Sequence, residues 1–193
     1  SSSGIESDDA QVNSADGDIS LSGNGDRGID LETTTVTSTG PATLTLTGTG
    51  TNSFGIELDD ATLNSTGTGI ITVSGTSTGD DGVNINGATA QVASAAGDIA
   101  LTGSTTGTGT GNNGVDIESG ITLVINATGT ANLGITGTAD GTDEAVEVDS
   151  PINSASGNVT ITALNGNSTT DDITFGAAGD ITSTSGVITI NAD

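Results

Sequence analysis

The sequence predicts an all-β protein, a parallel β-helix (β-solenoid) of about seven coils with three short strands in each coil. An apolar pair, spaced two residues apart as in a strand, recurs every 24 to 32 residues along the 193-residue chain. No segment shows the 3.6-residue period of a helix. The residues between the apolar positions are mostly Thr, Ser, Gly, Asn and Asp, which favour exposed strand positions and turns. The opening pairs are Ile29/Leu31, Ile56/Leu58, Val83/Ile85, Val115/Ile117 and Val146/Val148, with a weaker first copy at Ile5 and a last copy at Ile173/Phe175.

The repeats make residues 1–193 one β-solenoid domain, because a single repeat cannot bury its own apolar face and must stack on the next. Stacked strands lie about 4.8 Å apart, so the rod is expected to be roughly 35 Å long. We expect a right-handed helix, the hand that parallel crossover connections prefer. The predicted coils cover 4–27, 28–54, 55–81, 82–113, 114–144, 145–172 and 173–193.

In each coil, the second strand is predicted to bury one apolar side chain and the third strand an apolar pair. Pro41 falls at a corner of coil two, where a missing amide hydrogen costs little. The register of coil five is ambiguous, since it offers Leu123, Ile125, Leu133 and Ile135. For the other coils the inward residues are Val12 and Ile19/Leu21, Val36 and Leu44/Leu46, Leu63 and Ile71/Val73, Val92 and Ile99/Leu101, Ile152 and Val159/Ile161, and Ile181 and Ile188/Ile190.

Composition limits the partners of the chain. The net charge is −24, and Arg27 is the only basic residue. A nucleic-acid interface needs a basic surface, and an anionic membrane would repel the chain, so neither partner is expected. An apolar fraction of 31% with high charge is also typical of disorder. The regular spacing of Ile, Leu and Val favours instead a solenoid with a thin core.

The side chains that most enzymes use are absent. The chain has no His, Cys, Trp or Tyr, and its single basic residue is an arginine. Carboxylate pairs such as Asp80/Asp81 and Asp171/Asp172 lie in Gly-rich corners, where nothing apolar is expected to raise a pKa. The sequence therefore predicts a non-enzymatic protein that requires no cofactor.

Outward residues of the first strand form an acidic ladder when the coils stack. Carboxylates about 5 Å apart along such a ladder repel one another. Calcium would relieve this repulsion, because it prefers carboxylate, amide and carbonyl oxygens. A solvated acidic face that prevents aggregation is the alternative interpretation. The candidate calcium ligands are Asp30, Glu32, Glu57, Asp59, Asp116, Glu118, Glu147 and Asp149, with Asn84/Asn86 in coil four and Glu6 and Asp8 in coil one.

Outward residues of the third strand form a second ladder, rich in threonine. Flat Thr-x-Thr arrays resemble the ice-binding faces of some antifreeze solenoids, although Thr is also a favourable exposed strand residue. The ladder consists of Ser20/Ser22, Thr45/Thr47, Thr72/Ser74, Ala100/Thr102, Thr160/Thr162 and Thr189/Asn191. Sequons for N-glycosylation start at Asn64, Asn126, Asn158 and Asn167.

Length variation concentrates at the corner after the third strand. In the first four coils, segments 22–28, 47–55, 74–82 and 102–114 fill this corner. Insertions at one corner put all variable loops along one edge of the rod, which in solenoids is often the binding side. Harmless insertion at an exposed edge explains the same pattern equally well.

Segments 69–87 (GIITVSGTSTGDDGVNING) and 97–120 (GDIALTGSTTGTGTGNNGVDIESG) resemble the haemagglutinin-like and filamentous-adhesin β-helix repeats of large bacterial surface proteins. The resemblance covers nearly the whole chain and lies in composition and coil pattern. It implies a right-handed β-helix at the cell surface or outside the cell, acting in adhesion, a matrix or a sheath.

Three functions follow as hypotheses. The first is a structural extracellular rod or filament, which extends by end-to-end self-association or by continuation into further repeats. The second is an adhesin that binds a glycan or surface through the corner loops, assisted by calcium, and the third is ice binding. The chain contains no methionine and shows no obvious cap at either end, so we expect a processed subunit or part of a longer protein.

Overall fold

The computed structural model describes residues 2–121, 125–140, 143–165 and 171–192. It confirms the predicted fold: the described residues form three parallel sheets of seven strands each and contain no helix. Each turn of the solenoid contributes one strand to each sheet. We name the sheets first, second and third in the order in which each turn visits them.

The strands are short, and each sheet takes every third one. In chain order they are β1 Ser3–Asp8, β2 Gln11–Ser14, β3 Ile19–Gly25, β4 Arg27–Glu32, β5 Thr35–Ser38, β6 Leu44–Gly50, β7 Ile56–Asp59, β8 Thr62–Ser65, β9 Ile71–Ser77, β10 Val83–Asn86, β11 Gln91–Ser94, β12 Ile99–Thr105, β13 Val115–Ile117, β14 Ile125–Ala127, β15 Leu133–Ala139, β16 Val146–Val148, β17 Ile152–Ser154, β18 Val159–Asn165, β19 Ile173–Phe175, β20 Ile181–Ser183 and β21 Ile188–Ala192. The first sheet begins at β1, the second at β2 and the third at β3.

Like positions stack on like positions throughout the rod. Ile29 pairs with Ile56, and Ile56 pairs with Val83, so the opening apolar residues form one buried column. The inward residues of all three sheets join in a single hydrophobic core. Because the core is only one side chain deep from each sheet, a low apolar content is enough to fill it.

The ambiguous register of coil five is resolved by pairing with coil four. Ile125 pairs with Val92 in the second sheet, and Leu133 and Ile135 continue the third-sheet columns. Ile125, Leu133 and Ile135 are fully buried. Leu123, the other candidate, lies outside the described residues.

Third-sheet strands are longer than the sequence predicted. The variable corner was expected directly after the apolar pair, but β6 continues through Gly50 and β12 through Thr105. The corner between the third strand and the next first strand therefore varies in length, from Asp26 alone after β3 to the segment 106–114 after β12. The expectation was wrong because the glycines in these segments were interpreted as turn residues.

Two rows of glycine instead allow the third sheet to pass close to the first. A Cβ on Gly48 would lie 2.1 Å from the carbonyl oxygen of Gly55, and one on Gly55 would lie 2.5 Å from the amide nitrogen of Thr76. Carbon atoms do not approach backbone this closely, so glycine is required in both rows of the first five coils. In coil six, Ala145 and Ala163 occupy the corresponding positions. The third-strand glycine row is Gly23, Gly48, Gly75, Gly103 and Gly137, and the opening glycine row is Gly28, Gly55, Gly82 and Gly114.

The corner after the first strand turns through one residue in the left-handed region. This residue is Asp9 (φ 56°), Thr33 (φ 47°), Asp60 (φ 52°) and Gly87 (φ 81°) in the first four coils. Asp and Gly tolerate such a backbone, whereas a β-branched residue is strained there. Thr33 is therefore a local weak point of coil two.

Replacing Thr33 with Asn is expected to stabilise the protein by about 0.5–1 kcal/mol, because Asn enters the left-handed region more easily than Thr. The lost hydroxyl donates only an exposed hydrogen bond to Asp8 Oδ1 (3.2 Å). Urea unfolding measures the difference. Thr35→Asn, two residues further on in the extended strand β5, is the control and should not stabilise. A midpoint for Thr33→Asn at or below that of the parent chain would contradict the prediction.

A serine column closes the corner between the second and third strands, and the sequence analysis missed it. The hydroxyls of Ser65, Ser94 and Ser154 are buried and donate to the carbonyl oxygens of glycines three or four residues ahead, at 2.8, 2.5 and 2.8 Å. These serines share one register position in the second sheet. Each hydroxyl thus satisfies a buried carbonyl where the chain leaves the sheet.

Candidate functional site

The acidic ladder lies on the outer face of the first sheet and forms two rows. Register places the first acidic row at Glu6, Asp30, Glu57, Asn84, Asp116, Glu147 and Thr174. The second acidic row is Asp8, Glu32, Asp59 and Asn86, and Glu118 and Asp149 directly follow β13 and β16. The eight predicted ligands therefore line one face, but they do not share one environment.

In coils two and three, Arg27 neutralises the first acidic row. Its Nη1 lies 2.5 Å from Asp30 Oδ2 and 2.9 Å from Glu57 Oε2, and its guanidinium lies 5.6 Å from the centre of the Phe54 ring. Glu57 is only 8% exposed. Burial raises the pKa of Glu57, against the lowering effects of the Asn86 hydrogen bond and the Arg27 charge. Arg27 thus compensates part of the negative charge in this half of the row, although Glu57 Oε2 has no hydrogen-bond partner.

In coils four to six, the side chain among the carboxylates of the first acidic row is an asparagine, Asn84, and not a basic residue. The Asn84 side-chain nitrogen lies 3.1 Å from Asp81 Oδ2, 3.5 Å from Asp116 Oδ2 and 3.2 Å from Glu118 Oε1. Asn84 is 1% exposed, and its Oδ1 has no hydrogen-bond partner. We call Asp81, Asn84, Asp116, Glu118 and Glu147 the Asn84 cluster; Glu147 is the register partner of Asp116.

The preceding corner covers this cluster from the side. The backbone amide of Asn113 donates to Asp81 Oδ1 at 2.6 Å, and its side chain donates to Glu147 Oε2 at 2.7 Å. Asn113 is buried, at 1% exposure. The corner segment 106–114 therefore ties Asp81, which directly precedes coil four, to Glu147 in coil six.

Burial sets the electrostatics of the cluster. It raises the pKa of Asp81 to about 7, against hydrogen bonds from Asn113 and Asn84. Burial, followed by the charges of Asp81 and Glu147, raises the pKa of Asp116 to about 8. From the sequence we expected that nothing would raise the pKa of the carboxyl pairs in Gly-rich corners, and for Asp80 and Asp81 this was wrong, because burial raises both. Asp81 is 2% exposed because the corner folds back over the first sheet.

The second acidic row is more accessible. Glu32 is exposed, and the charge of Asp8 together with its partial desolvation raises its pKa. Asp59 and Asp149 are half-buried, and Asp149 Oδ1 has no hydrogen-bond partner. No group of three or more acidic side chains in the described parts of the chain is arranged so that it would hold a metal ion as it stands.

Sequence reasoning found the ladder but missed Asp81 and Asn113 as members of the site. Both occupy the position two residues before the opening apolar residue of a coil, and before coil two this position is Arg27. The equivalence was available from the repeat alignment. The alignment does not show that side chains at this position contact the first acidic row.

The third-sheet hydroxyl face is broader than predicted, because the longer strands add a third outward row. The rows are Ser20, Thr45, Thr72, Ala100, Gly134, Thr160 and Thr189; Ser22, Thr47, Ser74, Thr102, Thr136, Thr162 and Asn191; and Asn24, Thr49, Thr76, Ser104, Thr138 and Leu164. Ala100, Gly134 and Leu164 interrupt it. Of the sequons, Asn64 and Asn126 lie on second-sheet strands and Asn158 in a corner, and Asn167 lies outside the described residues.

Comparison with known proteins gives no match, whether to a family model, to a curated protein or to a solved structure. The resemblance to haemagglutinin-like and filamentous-adhesin repeats therefore stays a prediction. The described residues form no helix that is long and apolar enough to cross a membrane.

Proposed function

We propose that the chain is a structural rod that continues at its two end faces by strand pairing, either with a second copy or with further repeats of the same polypeptide, as a component of an extracellular fibre, sheath or matrix. One observation carries the proposal: the three parallel ladders run through all seven turns and leave apolar side chains uncovered on the last turn. The net charge of −24 supports a solvated rod, since it keeps exposed sheet surfaces soluble.

The last turn presents inward-type residues without a coil beneath them. Phe175, Ile188 and Ile190 are 39%, 40% and 49% exposed, whereas Val148, Val159 and Ile161 at the same positions one turn earlier are fully buried. An unpaired strand edge with apolar neighbours is a template for another strand. A further coil of this repeat type fits that edge.

The first turn offers the complementary face. Ile5, Val12 and Leu21 pack only partly against the core. When a second copy continues the register, its β1, β2 and β3 lie against β19, β20 and β21 of the first copy. Such a head-to-tail contact does not close on itself, so it generates a filament.

Charge favours this joint. The first acidic row ends in Thr174, so the Glu6 of a second copy would stack on a neutral side chain. Inside the rod, carboxylates stack directly on one another, as Asp30 does on Glu57. The junction is therefore less repulsive than the interior of the ladder.

The test is electron microscopy and light scattering of the 193-residue chain over a range of concentrations. Fibres of uniform width with an axial repeat near 4.8 Å are expected. Ile190→Lys places a charge on the inward side of β21 and should leave short particles. Thr189→Lys, on the outward side of the same strand, is the matched control and should still form fibres.

Two results would overturn the proposal. One is a parent chain that stays as single rods of roughly 35 Å at every concentration. The other is equal loss of fibres in the Ile190→Lys and Thr189→Lys variants, which would indicate lateral contacts between rods. Single rods would instead favour the adhesin hypothesis, in which the edge formed by the variable corners binds a glycan or surface.

A further inference from the structure

We propose that the Asn84 cluster binds one divalent cation of the calcium type. The ligands are carboxylate oxygens of Asp81, Asp116 and Glu118 and the amide oxygen of Asn84, with Glu147 stacked beside them. The site lies within one chain and does not depend on the rod assembly, so either proposal can fail without the other.

The first acidic row shows what a cation does at this place in the repeat. In coils two and three the Arg27 guanidinium lies between the stacked carboxylates of Asp30 and Glu57, at 2.5 and 2.9 Å. Glu57 is nearly buried there because its charge is compensated. A buried carboxylate requires such a partner, since desolvation of an unpaired charge is costly.

In coils four to six the same geometry recurs without a basic side chain. Asp116 stacks on Glu147 as Asp30 stacks on Glu57. The position equivalent to Arg27, two residues before the opening apolar residue, is Asp81 just before coil four, so it adds a negative charge instead of removing one. Arg27 is the only basic residue of the chain, so no side chain of this protein can compensate these charges. Below the raised pKa values of Asp81 and Asp116 a proton removes part of the charge, and above them a cation from solution can do so.

The orientation of Asn84 provides an independent indication. Its Nδ2 faces three carboxylates with only two hydrogens, while its buried Oδ1 has no hydrogen-bond partner. An oxygen donor buried beside three carboxylates matches the ligands that calcium takes, namely carboxylate and amide oxygens. Rotation of the amide by half a turn would direct Oδ1 toward the carboxylates, which is favourable only with a cation between them.

Binding requires the cluster to contract. The three carboxylate oxygens lie 3.1–3.5 Å from Asn84 Nδ2, whereas calcium–oxygen distances are about 2.3–2.6 Å. Asp81 lies in a corner and Glu118 directly follows the end of β13. Backbone hydrogen bonds hold both residues to the preceding coil, from Gly55 N to Asp81 O at 2.9 Å and from Glu118 N to Ile85 O at 3.0 Å, so the contraction has to come from rotation of the side chains. Calcium accepts irregular geometry, while magnesium demands a near-ideal octahedron, so calcium is the expected ion.

The test is isothermal titration of the metal-free chain with CaCl₂, together with thermal unfolding in CaCl₂ and in EDTA. We expect one ion per chain and a higher unfolding temperature with calcium. Asp116→Asn should weaken binding by a factor of ten or more, about 1.4 kcal/mol. The substitution removes a like charge, so the metal-free variant should remain folded, which circular dichroism checks.

Asp59→Asn, in the second acidic row one coil before the cluster, is the matched control and should bind calcium as the parent does. Magnesium at the same ionic strength should have a much smaller effect. The proposal is overturned by absence of binding up to about 10 mM calcium, well above the range of known protein sites. Equal weakening in both variants, or an equal effect of magnesium, would also overturn it, because either result indicates diffuse screening of the acidic face.

Discussion

Replacing Gly137 with alanine is expected to destabilise the protein by at least about 3 kcal/mol, or to prevent folding of the coils around it. A Cβ at this position would lie 1.8 Å from the carbonyl oxygen of Ala145 and 2.6 Å from a methyl carbon of Val146. Neither neighbour can retreat, because Val146 is fully buried and the Ala145 carbonyl accepts a hydrogen bond from Val115 N at 3.0 Å. The third sheet would have to separate from the first, which would open the core along several turns.

The same strand supplies the control. At Gly134, three residues earlier in β15, a Cβ would meet no other atom within 4 Å. Gly134→Ala should be neutral or stabilising by up to about 1 kcal/mol, because alanine loses less backbone entropy than glycine in a strand. Urea unfolding of both variants measures the difference. Similar effects in the two variants would show that the glycine rows do not define how closely the first and third sheets approach.

Replacing Asp116 with asparagine is expected to stabilise the metal-free protein increasingly as the pH rises. In the folded chain the pKa of Asp116 is raised to about 8, against about 3.9 for an aspartate in an unfolded chain. Below pH 4 the carboxyl is protonated in both states and contributes no penalty. Between pH 4 and 8 the unfolded chain ionises first, so this residue costs the fold more stability with each pH unit. At pH 9 in EDTA, the gain from Asp116→Asn should be on the order of 2 kcal/mol.

The measurement is urea unfolding of both proteins in EDTA at pH 5, 7 and 9. Asp18→Asn is a control of opposite sign, because hydrogen bonds from Thr43 lower the pKa of the Asp18 carboxyl. Asp18 therefore adds stability above pH 4, and its replacement should weaken the fold at all three pH values. A gain for Asp116→Asn that does not grow with pH would show that its carboxyl ionises normally in the folded protein.

The repeating apolar pairs determined most of the fold. Ile29, Ile56 and Val83 are spaced so that each opens a coil, and stacking follows because no coil buries its apolar face alone. The alternation along β6 and β9 then fixes which side chains face the core, since a shift of one residue would expose all of them. Such short-range periodicity is visible in the sequence, so the three sheets and the acidic ladder were predictable.

The structural role of glycine was ambiguous in the sequence. Gly48 and Gly50 looked like turn residues, because glycine is frequent in turns. In the structure they extend β6, since the third sheet passes within contact of the opening glycine row of the next coil. A close approach between two backbones that lie on different sheets leaves no signal in the local sequence.

The character of the acidic sites was likewise decided by the tertiary structure. Ladder positions such as Asp30 and Asp116 look identical in the repeat, yet the first is paired with Arg27 and the second lies among carboxylates. Asp81 looked like a solvated corner residue, but the corner folds back and buries it. The sequence by itself determined which residues stack, because stacking depends on periodicity. Which charges become buried together depended on the paths of the corners, and those are set by contacts between coils that are distant in the chain.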